Sequence, residues 1–105
     1  MSLTPFHLAV CVDDLDAARA FYGALLGCVE GRSAARWVDF DLYGHQLSLH
    51  LGGSRSGDNH NAVDGDSVPV PHFGVVLRWE DWQTLRDRLE GAGTAFSVGP
   101  RVRFE

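Results

Sequence analysis

The chain has 105 residues, of which 45% are hydrophobic and 22% are charged, and its formal net charge is -5. These values are close to those of an average soluble globular domain, so we expect one compact domain and exclude repeat arrays and multidomain layouts. Acidic residues outnumber basic ones by 14 to 9, and every basic residue is arginine. This balance argues against a nucleic acid partner.

The sequence has no apolar stretch long enough to span a bilayer and does not open with a charged and then apolar signal region. We therefore predict a cytoplasmic protein without a membrane partner. Two cysteines, Cys11 and Cys28, are too few for a disulfide scaffold and are not spaced as a metal or redox pair. Small buried packing residues are the simpler interpretation.

Hydrophobic periodicity predicts a β-α-β-β-β order in the first half of the chain. A capping pair, Asp13 and Asp14, precedes the predicted helix, and Gly27 ends it. The predicted strands cover residues 5–12, 28–31, 35–42 and 46–51, with a turn at 43–45.

Alternation along these strands places His7 opposite Phe6 and Leu8. The same alternation divides the later strands into a polar face and an apolar face. The polar set is Trp37, Asp39, Asp41, Gln46, Ser48 and His50. Asp39 and Asp41 either orient a substrate or are simply solvated.

The second half begins with a segment rich in Gly, Ser, Asp and Asn, which predicts a linker or surface loop. We divide the chain into a first module at residues 1–51, a loop at 52–68 and a second module at 69–105. The second module is predicted to have a strand at 71–77, a helix from Asp81 to the glycines at 91–93, and short strands at 95–98 and 102–104.

The two modules align as an internal repeat in which His7 falls on His72, an offset of 65 residues (72 - 7). The counterpart of the last strand of the first module then lies near residue 115, beyond Glu105. Either the second module lacks its final hairpin, or the sequence is part of a product of about 125 residues. We favour the second explanation, because an open module would leave an unpaired sheet edge.

Four segments carry a family resemblance: PFHLAV at 5–10, AARAFY at 17–22, LLG at 25–27 and PHFGV at 71–75. With the paired modules, they resemble the vicinal oxygen chelate superfamily, which includes glyoxalase I, bleomycin-resistance proteins and extradiol dioxygenases. The resemblance covers nearly the whole chain and is closest to small extradiol-type dioxygenases. It implies an α+β fold in which tandem βαβββ modules form a curved, cup-like mixed sheet, with the second module incomplete.

The resemblance also implies metal ligands. His7 and His72 match the ligand positions on the first strand of each module, and the remaining ligand of the family is a Glu beyond the given chain. Two imidazoles and a carboxylate leave open positions on a divalent metal, so that adjacent oxygens of a substrate can bind as a chelate. Fe(II) is the favoured metal, with Zn, Ni or Mn as alternatives.

His50 occupies the last-strand position of the first module, where glyoxalases carry a Glu and extradiol enzymes carry no ligand. We name it as the candidate catalytic residue because an imidazole suits acid-base work near neutral pH. A metal ligand, a group that hydrogen-bonds substrate and an exposed bystander remain open alternatives. His45 and His60 are expected to be solvated.

The resulting expectation is a metal-dependent dioxygenase-like or glyoxalase-like enzyme that acts on a small molecule with adjacent oxygens and forms a homodimer. The alternative is a ligand-binding dimer of the same fold without catalysis, like the bleomycin-resistance proteins. A degenerate relative without activity is a third interpretation. Fold alone does not decide among them.

Overall fold

The computed structural model describes residues 3–52, 59–63, 66–96 and 99–100, in two compact units that divide after Ser54. The first unit contains β1 (His7–Val12), α1 (Leu15–Arg19), a π-helical segment (Ala20–Leu25), β2 (Val29–Ala34), β3 (Trp37–Leu42) and β4 (His45–Leu51). The second contains β5 (Asn59–Val63), β6 (Asp66–Val70) and α2 (Trp79–Gly91).

The first unit is built on a four-stranded mixed sheet in the order β1-β4-β3-β2. β1 pairs with β4 in parallel, and the β4-β3 and β3-β2 pairs are antiparallel. The predicted α+β class and the β-α-β-β-β order of the first module are therefore confirmed.

The core lies between one face of this sheet and the helix. Val38 and Phe40 on β3 and Leu47 and Leu49 on β4 are at most 2% exposed. Leu15 and Ala18 of α1 are also buried, and the Tyr22 ring centroid lies 6.0 Å from that of Phe40. Because strand side chains alternate between faces, the polar residues between these positions must lie on the opposite face.

The helix begins and ends where the sequence predicts. The Asp14 carboxylate accepts a hydrogen bond from the Ala17 backbone N–H at 3.0 Å, as an N-cap does. After Arg19 the helix widens into the π-helical segment, which no sequence pattern predicted. Gly27 then takes a positive φ of 76°, which glycine adopts without steric cost.

A tight turn joins β3 to β4. Tyr43 and Gly44 have φ values of 52° and 90°, and two central residues with positive φ favour the strand twist of a hairpin. The Gly44 N–H donates to the Asp41 carboxylate at 2.7 Å. Asp41 therefore stabilises the turn. This role differs from the two predicted for its side chain, which were orienting a substrate and being solvated.

The second unit differs from the prediction in two places. Residues 59–63 and 66–70 pair as an antiparallel hairpin where we predicted a loop at 52–68. The two residues between them in the sequence are Asp-Gly, which is a strong signal for a hairpin. The loop prediction gave more weight to the polar composition of the segment.

The predicted strand at 71–77 is also wrong, since residues 71–78 form no strand or helix. A strand needs a hydrogen-bonded neighbour, and apolar composition alone does not provide one. The predicted strand at 102–104 lies outside the described residues, as do residues 97–98 of the strand predicted at 95–98, and residues 95–96 form no strand. The division into two modules and a loop stays a prediction.

Within the described part of the chain, no helix is long and apolar enough to cross a membrane.

We predict that Phe40→Ala lowers the free energy of unfolding by about 3–5 kcal/mol, because it leaves a cavity among fully buried side chains. Urea denaturation followed by circular dichroism measures this change. Val29→Ala, at a side chain that is 72% exposed on β2, is the control and should cost well under about 1 kcal/mol. Equal losses for the two variants would contradict the assignment of the core.

Candidate functional site

The polar face of the first sheet carries three rows of side chains across β1, β4 and β3. The strand register places the members of each row directly beside one another. In order from one end of the sheet to the other, the rows are His7–Gln46–Asp41, Ala9–Ser48–Asp39 and Cys11–His50–Trp37. The faces predicted from alternation are thus observed, with Cys11 on the same side as His7.

Asp39, at the β3 end of the middle row, accepts hydrogen bonds from two side chains of β4. The buried Ser48 hydroxyl donates to one of its oxygens at 2.5 Å, and the Gln46 amide donates to the other at 3.3 Å. Hydrogen bonds to a charged acceptor are among the strong ones in proteins. Asp39 therefore fixes two neighbours on β4, and this structural use was missing from the sequence-based interpretation.

His7 begins β1 at one end of the face, where its side chain is exposed. His45, the first residue of β4, accepts a hydrogen bond through its Nδ1 from the Phe6 backbone N–H, at 2.8 Å. This bond holds the start of β1 against β4. His45 is therefore only partly exposed and has a structural role, in contrast to the solvated side chain expected from the sequence.

His50 lies at the opposite end of the face, between Cys11 and Trp37. Its ring centroid is 6.4 Å from that of Trp37, with the two planes tilted by 32°. The Arg32 guanidinium lies 5.9 Å from the Trp37 ring centroid. At the same end of the sheet, Arg36 donates to the Leu51 carbonyl at 3.1 Å.

The register separates His7 from His50 by four residues along the sheet and one strand across it. In a regular sheet this corresponds to roughly 14 Å between Cα atoms. Side chains that stand perpendicular to the sheet do not bring two imidazoles to one metal over such a distance. The geometry therefore argues against His50 and His7 as ligands of the same ion.

His72 follows β6 in the second unit, where its side chain is exposed. His7 and His72 thus belong to different units, and their joint role stays a prediction. Among the residues that the structure describes, no group of three or more His, Cys, Asp or Glu side chains is placed to hold a metal ion. The described residues alone do not complete the ligand set implied by the family resemblance.

A separate open recess of about 240 Å³ lies where the helix returns to the sheet. It is lined by Leu26, Gly27, Cys28, Val29, Asp41 and Tyr43. Partial burial raises the pKa of the Cys28 thiol above its ordinary value, and the Asp41 carboxylate raises it further. Burial likewise raises the pKa of Tyr22, with Cys28 as the second cause.

The fold and its polar face define a class of protein, the βαβββ proteins that present a first-strand histidine on an open mixed sheet. The family model described as the Glyoxalase/Bleomycin resistance protein/Dioxygenase superfamily matches residues 4–104. The chain belongs to this superfamily, as its sequence motifs predicted.

Nine chains of solved structures match this chain. A glyoxalase/bleomycin resistance protein/dioxygenase from Alicyclobacillus acidocaldarius is 31% identical, with a TM-score of 0.73, over 96% of this chain and 72% of that one. An integron cassette protein from the mobile metagenome of the Halifax Harbour sewage outfall is 22% identical, with a TM-score of 0.61, over 85% and 70% of the two chains.

The oxidase ChaP-H2 is 18% identical, with a TM-score of 0.56, over 89% of this chain and 65% of that one. These last two similarities concern the fold alone. A search of curated proteins finds no match.

We predict that alkylation of Cys28 by iodoacetamide, measured by mass spectrometry in a Cys11→Ser variant, has a pH midpoint above that of an ordinary thiol. The thiolate is the reactive form, and both burial and the Asp41 charge disfavour it. Asp41→Asn removes one of the two causes and should lower the midpoint. An ordinary or lower midpoint in the parent variant would contradict the assigned environment of Cys28.

Proposed function

We propose that this protein is a metal-dependent enzyme, dioxygenase-like or glyoxalase-like, that acts on a small molecule with adjacent oxygens. Membership of the superfamily supports a vicinal oxygen chelate function. The observation that carries the proposal for this chain is the exposed His7 at the start of β1, on the open polar face of the sheet. An exposed imidazole in that position is accessible both to a metal and to a substrate.

In this proposal His7 and His72 hold the divalent metal together with a Glu beyond the given chain. Fe(II) is the favoured ion, with Zn, Ni or Mn as alternatives. When bound, such a metal supplies Lewis acid chemistry or, as Fe(II), activation of O₂. In this proposal His7 supplies one ligand from the first unit, and His72 and the Glu supply the others.

The role proposed for His50 is to hold or move a proton of the substrate. Its imidazole is exposed on the same face as His7 and stands too far from it to share a metal. A group at that position can contact a substrate at a distance from the metal. An imidazole can both accept and donate a proton, as a general acid or base requires.

A second candidate is a ligand-binding protein without catalysis. The observation that favours it is the Trp37 ring with Arg32 beside it, because an aromatic surface and a cation bind a flat ligand without a metal. For both candidate functions we also propose that the protein forms a homodimer and is located in the cytoplasm. Metal content distinguishes the two.

We predict that protein that includes the proposed Glu, loaded anaerobically with Fe(II) and desalted, retains close to one metal per chain, and that His7→Ala or His72→Ala abolishes this binding. Loss of one imidazole ligand removes a coordinate bond without removing core volume. Elemental analysis measures the metal, and circular dichroism checks the fold. His60→Ala is the matched control and should keep its metal.

Stoichiometric metal in both the His7 and His72 variants would refute the ligand assignment. A wild-type chain that binds no metal would favour the ligand-binding candidate.

We predict that His50→Ala lowers kcat by about 10²–10⁴-fold while metal content stays unchanged, as expected of an acid-base group. Turnover of catechols and of 2-oxoaldehydes is the readout, with elemental analysis on the same samples. A loss of metal in proportion to activity would instead make His50 a ligand. Full turnover in the variant would make it a bystander.

A further inference from the structure

One end of the polar face combines an aromatic ring, a cation and an imidazole. The Arg32 guanidinium lies 5.9 Å from the Trp37 ring centroid, and the His50 ring lies 6.4 Å from it on the neighbouring strand. Trp37 is partly exposed, and the other two side chains are exposed. A ligand therefore has access to a partly exposed aromatic ring with a positive charge over its face.

The charge of Arg32 is available to a ligand. Among the described residues its observed contact is with the Trp37 ring, and no carboxylate pairs with it. Arg86 on α2 offers a direct comparison, because its guanidinium lies 5.2 Å from the Trp82 ring centroid. That arginine, however, is ion-paired with Asp87 at 2.9 Å and Glu90 at 3.9 Å.

The carboxylate nearest along the face is held by β4, and in the part of the chain that the structure describes no ion pair between it and Arg32 is observed. Asp39 lies two residues from Trp37 on β3, and its two oxygens accept hydrogen bonds from Ser48 and Gln46 on β4. These donors hold both oxygens of the carboxylate on the β4 side of β3, whereas Arg32 lies on β2. Arg36, at the same end of the sheet, donates to the Leu51 carbonyl at 3.1 Å.

We propose that Trp37 and Arg32, beside His50, form a subsite for the planar and negatively charged end of the substrate. The ligand class is an aromatic or conjugated carboxylate. The ring would stack on or beside Trp37, and its carboxylate would accept hydrogen bonds from the Arg32 guanidinium. That this ligand is a substrate rests on the proposed function, whereas the existence of the binding site does not.

The register also sets a length for that substrate. From His7 to Trp37 the sheet extends four residues along and two strands across, which is roughly 16 Å between Cα atoms in a regular sheet. The side chains at each end shorten this distance, yet a single ring does not bridge it. A molecule with its adjacent oxygens at His7 and its charged planar end at Trp37 is therefore longer than a single ring.

The test compares 2-naphthoate with the neutral 2-naphthamide on the full chain in the presence of EDTA. Isothermal titration calorimetry gives the affinities, and the indole N–H signal of Trp37, assigned with Trp37→Phe, reports the location. We expect the wild type to bind the anion about tenfold more tightly than the amide, with a shift of that signal. Arg32→Gln should remove the preference.

Arg86→Gln is the matched control, since it removes the other arginine that lies over a tryptophan, and it should keep the preference. Equal binding of the two probes by the wild type, or no shift of the Trp37 signal, would overturn the proposal, and neither result depends on the behaviour of a variant. So would a preference that survives Arg32→Gln or disappears in Arg86→Gln. Because the measurement is made without metal, its outcome is independent of whether His7 and His72 bind Fe(II).

Discussion

The burial of one face of β3 and β4 is the constraint on which the rest of the first unit depends. Val38, Phe40, Leu47 and Leu49 exclude water completely or almost completely, and each is separated from the next on its strand by one polar residue. Since a strand alternates with a period of two, a shift of register by one residue would bury the polar side chains. The apolar contacts therefore also fix the rows that contain His7, Ser48 and His50.

Those rows have distinct uses that the sequence alone could not separate. Asp39 and Asp41 have the same residue type and share a face, yet one holds two side chains of β4 and the other holds the β3-β4 turn. The imidazoles of His7 and His50 lie at the two ends of the face, and both are exposed. One end has the His7 imidazole, and the other has His50 with an aromatic ring and an arginine.

The first half of the fold was predictable because its signals are local. Alternating apolar residues, an Asp N-cap and Gly27 each act over a few residues, and all three are observed as predicted. The role of Arg32 was not predictable in this way. Its contact with Trp37 depends on the register of β2 against β3, which shifts between Glu30 and Ser33, and no sequence period encodes that irregularity.

The two open edges of the first sheet differ in a way that bears on association with other chains. β2 is exposed at all six positions and its ladder is interrupted, whereas β1 pairs with β4 at six consecutive positions without a break. Interrupted, polar edges discourage strand addition, and regular edges permit it. Of the two edge strands of this sheet, β1 is therefore the one whose backbone is regular enough for a further strand to pair with, and His7 lies at its start.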